Sequence, residues 1–458
     1  MPLNNDSHWP ADYDARFVGE AATRTLLSEA AGGNVASGAA VGIEYRERDD
    51  CWSVELDTSL RWSDGAQLTP IDCVRSVDRI LSRPRSRIAR MFPSTGAVTV
   101  VGDGRIEYRF SRPTSYAAAL FTLPQLAPSR AQGTLLGAPA LGDYSLASHG
   151  DGFIEMVRHP YAKDAIREAP EALAFRAYST LDEALLALAQ GEVDVSPTTS
   201  FGVRQLEEFS HDSRMWSGDI SIFGNLEFGQ ECLAMRSRPD LRRALGLALD
   251  RRRIVGSSSG LVTPFCSQTA AWRDDSGQCH DMRLEPTDRE RDEIRRALGD
   301  GITVPYADFT PNGDIVQAIC TQLQELFGIS ATPCPVSYQS YIRKAVTGRH
   351  GLLYTLTTAD FAHPAALLLP WRSDSPSARR IAFADPSLDT YINEASAVFD
   401  LAQAEQAWHR ADERWLELMP RVPLIQVRAH CLRGDRLNDV SLDSGGLVDF
   451  RKLEVRSV

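Results

Sequence analysis

Lysine is nearly absent from this chain: Lys163, Lys344 and Lys452 are the only three in 458 residues. The other basic residues are arginines spread along the sequence. Against them stand 61 acidic residues, leaving a net charge of -12. A phosphate-binding surface needs a segregated basic excess, so nucleic acid is excluded as the expected partner. Long apolar runs are missing too. None approaches the roughly 20 residues that span a bilayer, and no transmembrane segment is expected. The N-terminus, MPLNNDSHWPADYDARF, lacks a basic start, an apolar core and a small-residue cleavage site. Its first cysteine, Cys51, comes too late for lipid attachment. As read, the chain stays in the cytoplasm; a form processed after export would be extracytoplasmic.

The eight cysteines contain no Cys-x-x-Cys, which removes zinc-ribbon and thioredoxin-like readings. Cys266 and Cys279 are close enough to bridge across a loop in an oxidising compartment; otherwise the set reads as buried thiols. His280 beside Cys279 has no second ligand at metal spacing, so no metal is expected. Neither a P-loop nor a dinucleotide fingerprint occurs, and no cofactor is expected. Gly256-Ser257-Ser258-Ser259-Gly260 matches G-x-S-x-G, but a nucleophile elbow needs a strand before it and a helix after it. Here a helical pattern precedes and irregular sequence follows, which reads as a serine-rich loop. No catalytic residue is assigned, and whether the chain is an enzyme stays open. Repeats, low-complexity linkers and heptads are absent, and no helix-turn-helix precedes the rest.

What is present is a mixture of short strands and amphipathic helices, an α/β or α+β pattern. Cys51 to Leu60 alternates apolar and polar residues as a half-buried strand does. Thr69-Pro70-Ile71-Asp72 predicts a helix start with a capping box and proline in the first turn. Val98 to Val100 and Ile106 to Phe110 predict a hairpin around Asp103-Gly104. Tyr144 to Ala147 and Phe153 to Val157 predict another. Thr180-x-x-Glu183 caps a helix that Gly191 ends, and Val193 to Val195 begins a strand. Pro239 opens a helix through Leu249, Asp314 to Phe327 forms another, and Trp408, Ala411, Trp415 and Leu418 keep helical spacing up to Pro420.

The order of these segments resembles family 5 of the bacterial extracellular solute-binding proteins, the oligopeptide-, dipeptide- and nickel-binding components of ABC transporters. LRWSDGAQLTPIDCVRSVDRIL, from Leu60 to Leu81, carries the most specific likeness. LGDYSLASHGDGFIEMVRHPYA, LDEALLALAQGEVDV, RPDLRRALGLALDRRRIV, DIVQAICTQLQELFGI, TADFAHPAALLLPW and AWHRADERWLELMPRVPLI follow in the family's order, to about Ile425. The resemblance implies an α/β, two-lobed periplasmic-binding-protein-like fold of type II, with an extra domain in the first lobe. It places the first lobe in residues 1–38, 158–230 and 421–458, the extra domain in 39–157 and the second lobe in 231–420. Three features depart from the pattern. The signal sequence is missing, a first strand is hard to find before His8, and Ala359-Asp360-Phe361 lacks the tryptophan that often precedes it.

Function and site residues follow from the same resemblance. The implied protein closes by hinge motion over a small ligand: a peptide, an amino-acid derivative or a metal chelate. It would act as a monomer and deliver its ligand to an ABC permease. The other reading is a cytoplasmic relative repurposed as an enzyme or ligand sensor in specialised metabolism. Asp360 matches the aspartate that pairs with a peptide's α-amine; read from the residues alone it could equally be a cap or loop aspartate. Thr357, Thr358 and Phe361 would face the cleft beside it. Thr198 and Thr199 lie where the family's crossover strand meets ligand, and serve equally well as hinge residues. Arg24 stands where the family has a glutamate and would favour an anionic group. His363 near Asp360 could do acid–base work, or be a satisfied loop histidine.

Overall fold

The computed structural model describes residues 13–30, 34–83, 86–130, 138–163, 169–269 and 283–456. The chain divides into two compact units, Met1–Pro197 with Cys431–Val458, and Thr198–His430. It passes from one to the other after Pro197 and after His430. The expected second lobe, 231–420, lies within the second unit, which also takes in 198–230 and 421–430.

The first unit holds three small sheets. β1 (Leu27–Glu29) and β2 (Val35–Ser37) form an antiparallel pair. β3 (Ala40–Arg46), β4 (Cys51–Leu56), β5 (Val98–Val100) and β6 (Arg105–Tyr108) form an antiparallel sheet in the order β3-β4-β6-β5. β7 (Tyr144–Gly150), β8 (Phe153–Arg158) and β9 (Ala172–Arg176) form a meander. Both expected hairpins are present, as β5–β6 and β7–β8. The predicted helix spans Pro70–Leu81. The Asp72 carboxylate accepts from the Thr69 N–H at 3.0 Å, the reciprocal half of a capping box. In the Trp62-Ser63-Asp64-Gly65 turn, Gly65 takes φ +86°, a region L side chains rarely enter. The helix after Thr180 spans Leu181–Ala189, and the Thr180 hydroxyl accepts from the Glu183 N–H at 3.2 Å. The strand expected from Val193 is only a bridge, Val195 to Arg433. Extended backbone there pairs with the returning C-terminus instead of a neighbouring strand. Phe17, Phe175 and Phe450 meet edge-to-face at 5.5–5.8 Å and tie the first helix, β9 and the C-terminal turn together.

The second unit is built on a four-stranded sheet in the order β11-β15-β10-β14, where β10 is Met215–Phe228, β11 Val262–Pro264, β14 Leu352–Thr358 and β15 Arg421–Leu432. The last two residues of β15 belong to the first unit. β12 (Ile302–Ala307) and β13 (Ala331–Val336) pair in parallel, so a crossover must join them. The helix Asn312–Phe327 is that crossover. It buries Ile315, Ile319, Leu323 and Phe327 and stops at Gly328, φ +65°. The helix Leu401–Leu418 buries Trp408, Ala411, Trp415 and Leu418, the predicted stripe. Its Asp412 accepts from the backbone N–H groups of Gln268 and Thr269, both at 3.1 Å, and so anchors the loop after Cys266. Cys266 is buried and disulfide-bonded; Cys279 and His280 lie outside the described residues. Cys51, Cys73, Cys232, Cys320, Cys334 and Cys431 are free thiols. The serine-rich segment is a short turn, Gly256–Ser258, after the helix Arg251–Val255, without elbow geometry. Among the described residues no helix is long and apolar enough to cross a membrane.

Candidate functional site

β14 is an edge strand whose side chains alternate between two faces. Its antiparallel register with β10 sets Leu353 opposite Glu227, Thr355 opposite Asn225 and Thr357 opposite Phe223. Thr357 is therefore on the same face as Glu227. Beyond it the chain reaches the surface: Thr358 and Asp360 are exposed. The Ala359 N–H still donates to the Ser221 carbonyl at 2.9 Å, so the exit from the strand is held. Phe361 is buried. The structure thus places Thr357, Thr358, Asp360 and Phe361 on one continuous segment of the second unit.

His363 is explained by its surroundings. Its Nδ1 accepts from the Ala365 N–H at 3.1 Å and caps the helix Pro364–Leu368. Its ring meets Trp408 edge-on at 5.4 Å. Burial pushes the imidazole down to about 4, far from the range of a general base at neutral pH. Thr198 is buried, and its carbonyl accepts from the His430 N–H at 3.0 Å; Thr199 is exposed. Both stand at the start of the second unit. Arg24 belongs to the first unit. It is buried, and its Nη2 donates to Asp143 at 2.8 Å and to the Lys163 carbonyl at 3.1 Å. Its charge is already matched within that unit.

Sequence reasoning passed over a charged group beneath Thr357. Arg421, the first residue of β15, donates through Nη1 to the Thr357 hydroxyl at 2.7 Å. Its guanidinium carbon lies 5.0 Å from the centroid of the Trp371 ring, a cation–π distance. Glu227 is buried near it, ion-paired to Arg380 Nη2 at 2.8 Å, with His350 Nε2 at 3.6 Å. Burial alone would raise the Glu227 carboxyl. The His350 ring, Arg380 and Arg421 outweigh it and hold Glu227 below the usual carboxylate value. One signal was available: Glu227 is a lone carboxylate in the apolar end of β10, Leu226-Glu227-Phe228, and buried carboxylates are paired.

A serine–histidine contact also exists. Ser217 and His430 Nδ1 are 2.8 Å apart, and His430 Nε2 lies 2.9 Å from the Gly260 carbonyl. That carbonyl fixes the proton on Nε2, so the Ser217 hydroxyl donates to Nδ1. Burial pushes His430 down to about 4, which leaves it a poor base for activating the serine. Among the described residues no group of three or more metal-ligating side chains is assembled.

The pattern described as bacterial extracellular solute-binding proteins, family 5 middle, matches residues 35–379. The chain belongs to that family. A probable di/tripeptide-binding protein 5 of Pseudomonas aeruginosa is 25% identical over 236 residues, 48% of this chain and 43% of the relative's length. Among solved structures, Haemophilus influenzae OppA in complex with RPPGFSPFR is similar at TM-score 0.80 and 18% identity, covering 100% of this chain and 97% of that one. The oligopeptide-binding protein 2 of clavulanic acid biosynthesis is similar at TM-score 0.81 and 18% identity, covering 98% and 93%. AgaA of A. tumefaciens R10, in complex with agropinic acid, is similar at TM-score 0.80 and 16% identity, covering 99% and 96%. At these identities the structures establish the fold, α/β and periplasmic-binding-protein-like, as the sequence motifs implied.

Proposed function

We propose that this family 5 protein is a receptor that binds one small amine-bearing solute per chain, a short peptide or amino-acid derivative, and hands it to an ABC permease. The observation that carries the reading is Asp360. Its carboxylate is exposed just beyond Thr357 and Thr358, at the position that matches the family's amine-binding aspartate. A ligand ammonium that loses water on binding needs a fixed carboxylate in its place. The two passages of chain between units, after Pro197 and after His430, are the segments about which hinge closure would turn. The disulfide at Cys266 favours an oxidising compartment, as expected of a receptor outside the cytoplasmic membrane.

The test is calorimetric titration of the protein and of Asp360→Asn with dialanine and N-acetyl-dialanine. Asparagine keeps the shape and removes the charge. The substitution should weaken dialanine at least about tenfold with little change in melting temperature. The acetylated form should bind both proteins poorly. Equal dialanine affinity in the two proteins would remove Asp360 from the site.

A further inference from the structure

Buried arginines in this protein are partnered to different degrees, and Arg421 has the fewest hydrogen bonds of the four compared below. Arg242 donates to the carbonyls of Met235, Leu418 and Met419 at 2.7–3.2 Å. Arg251 donates to the carbonyls of Leu249, Phe265 and Pro423. Arg24 has Asp143. Arg421 is only 6% exposed, yet its one hydrogen-bonding partner among the described residues is the neutral hydroxyl of Thr357. Its Nε is buried without a partner. Among the described residues no carboxylate lies within ion-pair distance of it. Glu227 acts on Arg421 from further away and is already paired to Arg380.

Two guanidiniums therefore share one carboxylate, and the more deeply buried of them is the one not in contact with it. A buried charge whose partners are only a hydroxyl and the face of the Trp371 ring still carries a desolvation cost that a carboxylate would offset. A planar anion offering two oxygens would satisfy a guanidinium fork in a way that water does not. The corner is close to the surface: Thr357 is half-buried and the next residue, Thr358, is exposed. Thr355 lies two residues back on the same face, roughly 7 Å along the strand, and has a buried hydroxyl with no partner. It is a second donor aimed at the same face.

We propose that Arg421, with Thr357, binds a carboxylate group of the solute. The ligand is then a molecule with an anionic group in reach of Arg421 and, resting on the receptor reading above, an ammonium at Asp360. Thr357 and Asp360 are three residues apart, so their Cα atoms are separated by roughly 10 Å or less. That span suits a compact zwitterion, an amino-acid derivative or a dipeptide.

The experiment measures melting temperature in sodium acetate against sodium chloride at equal ionic strength, for the protein, Arg421→Met and Arg421→Lys. Acetate should raise the melting temperature of the unsubstituted protein saturably, and chloride should not. Arg421→Met should lose the acetate response and melt, without anion, no lower than the unsubstituted protein, because an apolar side chain that also packs on Trp371 replaces a buried charge that has no carboxylate partner. If Arg421→Met does not fold, Arg421→Lys carries the test, with an acetate response reduced but present. Dialanine affinity should fall at least about tenfold in either variant. An unsubstituted protein indifferent to acetate, or a variant that keeps the full acetate response or full dialanine affinity, would overturn the proposal. A normal acetate response with no dialanine binding would instead sink the receptor reading and leave the anion site standing.

Discussion

Arg242 closes the carboxyl end of the helix Leu401–Leu418 by donating from Nε to the Met419 carbonyl at 2.9 Å. The same guanidinium reaches the Leu418 carbonyl at 2.7 Å and, on its other side, Met235 at 3.0 Å. Met419 itself is left-handed, φ 42°, so the helix has ended and its last carbonyls have no helical donor. Burial pushes the Arg242 guanidinium down to about 10, still charged at neutral pH.

Arg242→Met is expected to be costly for that reason. It leaves several buried carbonyls without a donor, at roughly 1–3 kcal/mol each if none relaxes. A loss of about 3 kcal/mol or more by urea unfolding is the expected outcome. Arg421→Met, in the same unit and at similar burial, should cost little or nothing. Equal losses in the two variants would show that burial, and not the acceptors served, sets the cost.

Arg24 and Asp143 are a buried pair, 8% and 7% exposed. Breaking such a pair from one side typically costs about 3–5 kcal/mol, while replacing both members costs much less. Arg24→Met should therefore destabilise the first unit strongly, and Arg24→Met with Asp143→Leu should recover most of the loss. A double variant as unstable as the sum of the singles would rule out coupling. Ligand affinity in the double variant should be unchanged, since the pair is spent on structure; a large loss would return Arg24 to the binding site.

The first unit should lose stability as pH rises toward neutrality. Arg16 sits between Glu20 and Asp443, at 3.8 and 3.6 Å. Burial is the largest influence on Glu20 and raises it to about 7, while Arg16 and Arg451 oppose and Asp443 and Asp449 add to the rise. Asp443 is raised too, again chiefly by burial. A carboxyl raised on folding takes up a proton, so its favourable contribution is full below about 4.5 and is lost as pH climbs through about 7. One such proton gives a slope of at most about 1.4 kcal/mol per pH unit. Glu20→Gln mimics the protonated form. It should match the unsubstituted protein in urea at pH 5 and exceed it at pH 8. A variant less stable at both pH values would show that the charged form is the one the fold favours.

Hinge closure predicts a smaller radius of gyration in solution scattering at saturating dialanine. An unchanged radius, with binding confirmed calorimetrically on the same sample, would count against closure about the Pro197 and His430 passages.

The sequence by itself determined the α/β class, the helices at Pro70–Leu81, Leu181–Ala189, Pro239–Ala248 and Leu401–Leu418, both hairpins and the family likeness. These rest on signals within a few residues: caps, turn glycines and the 3.6- and 2-residue periods. Asp360 and its threonines stand out in the same way, as a contiguous motif, and their role in binding is the proposal tested by Asp360→Asn. What only the tertiary structure decided is which charges meet. Arg421 and Thr357 are 64 residues apart, Arg380 and Glu227 153, Arg24 and Asp143 119. No local period relates such positions, because a buried charge is matched by whatever group the packing brings within about 3 Å, and that depends on sheet order and register. The order β11-β15-β10-β14 puts Arg421 in reach of Thr357 and leaves it short of a carboxylate. The sequence could name the arginine but not its missing partner.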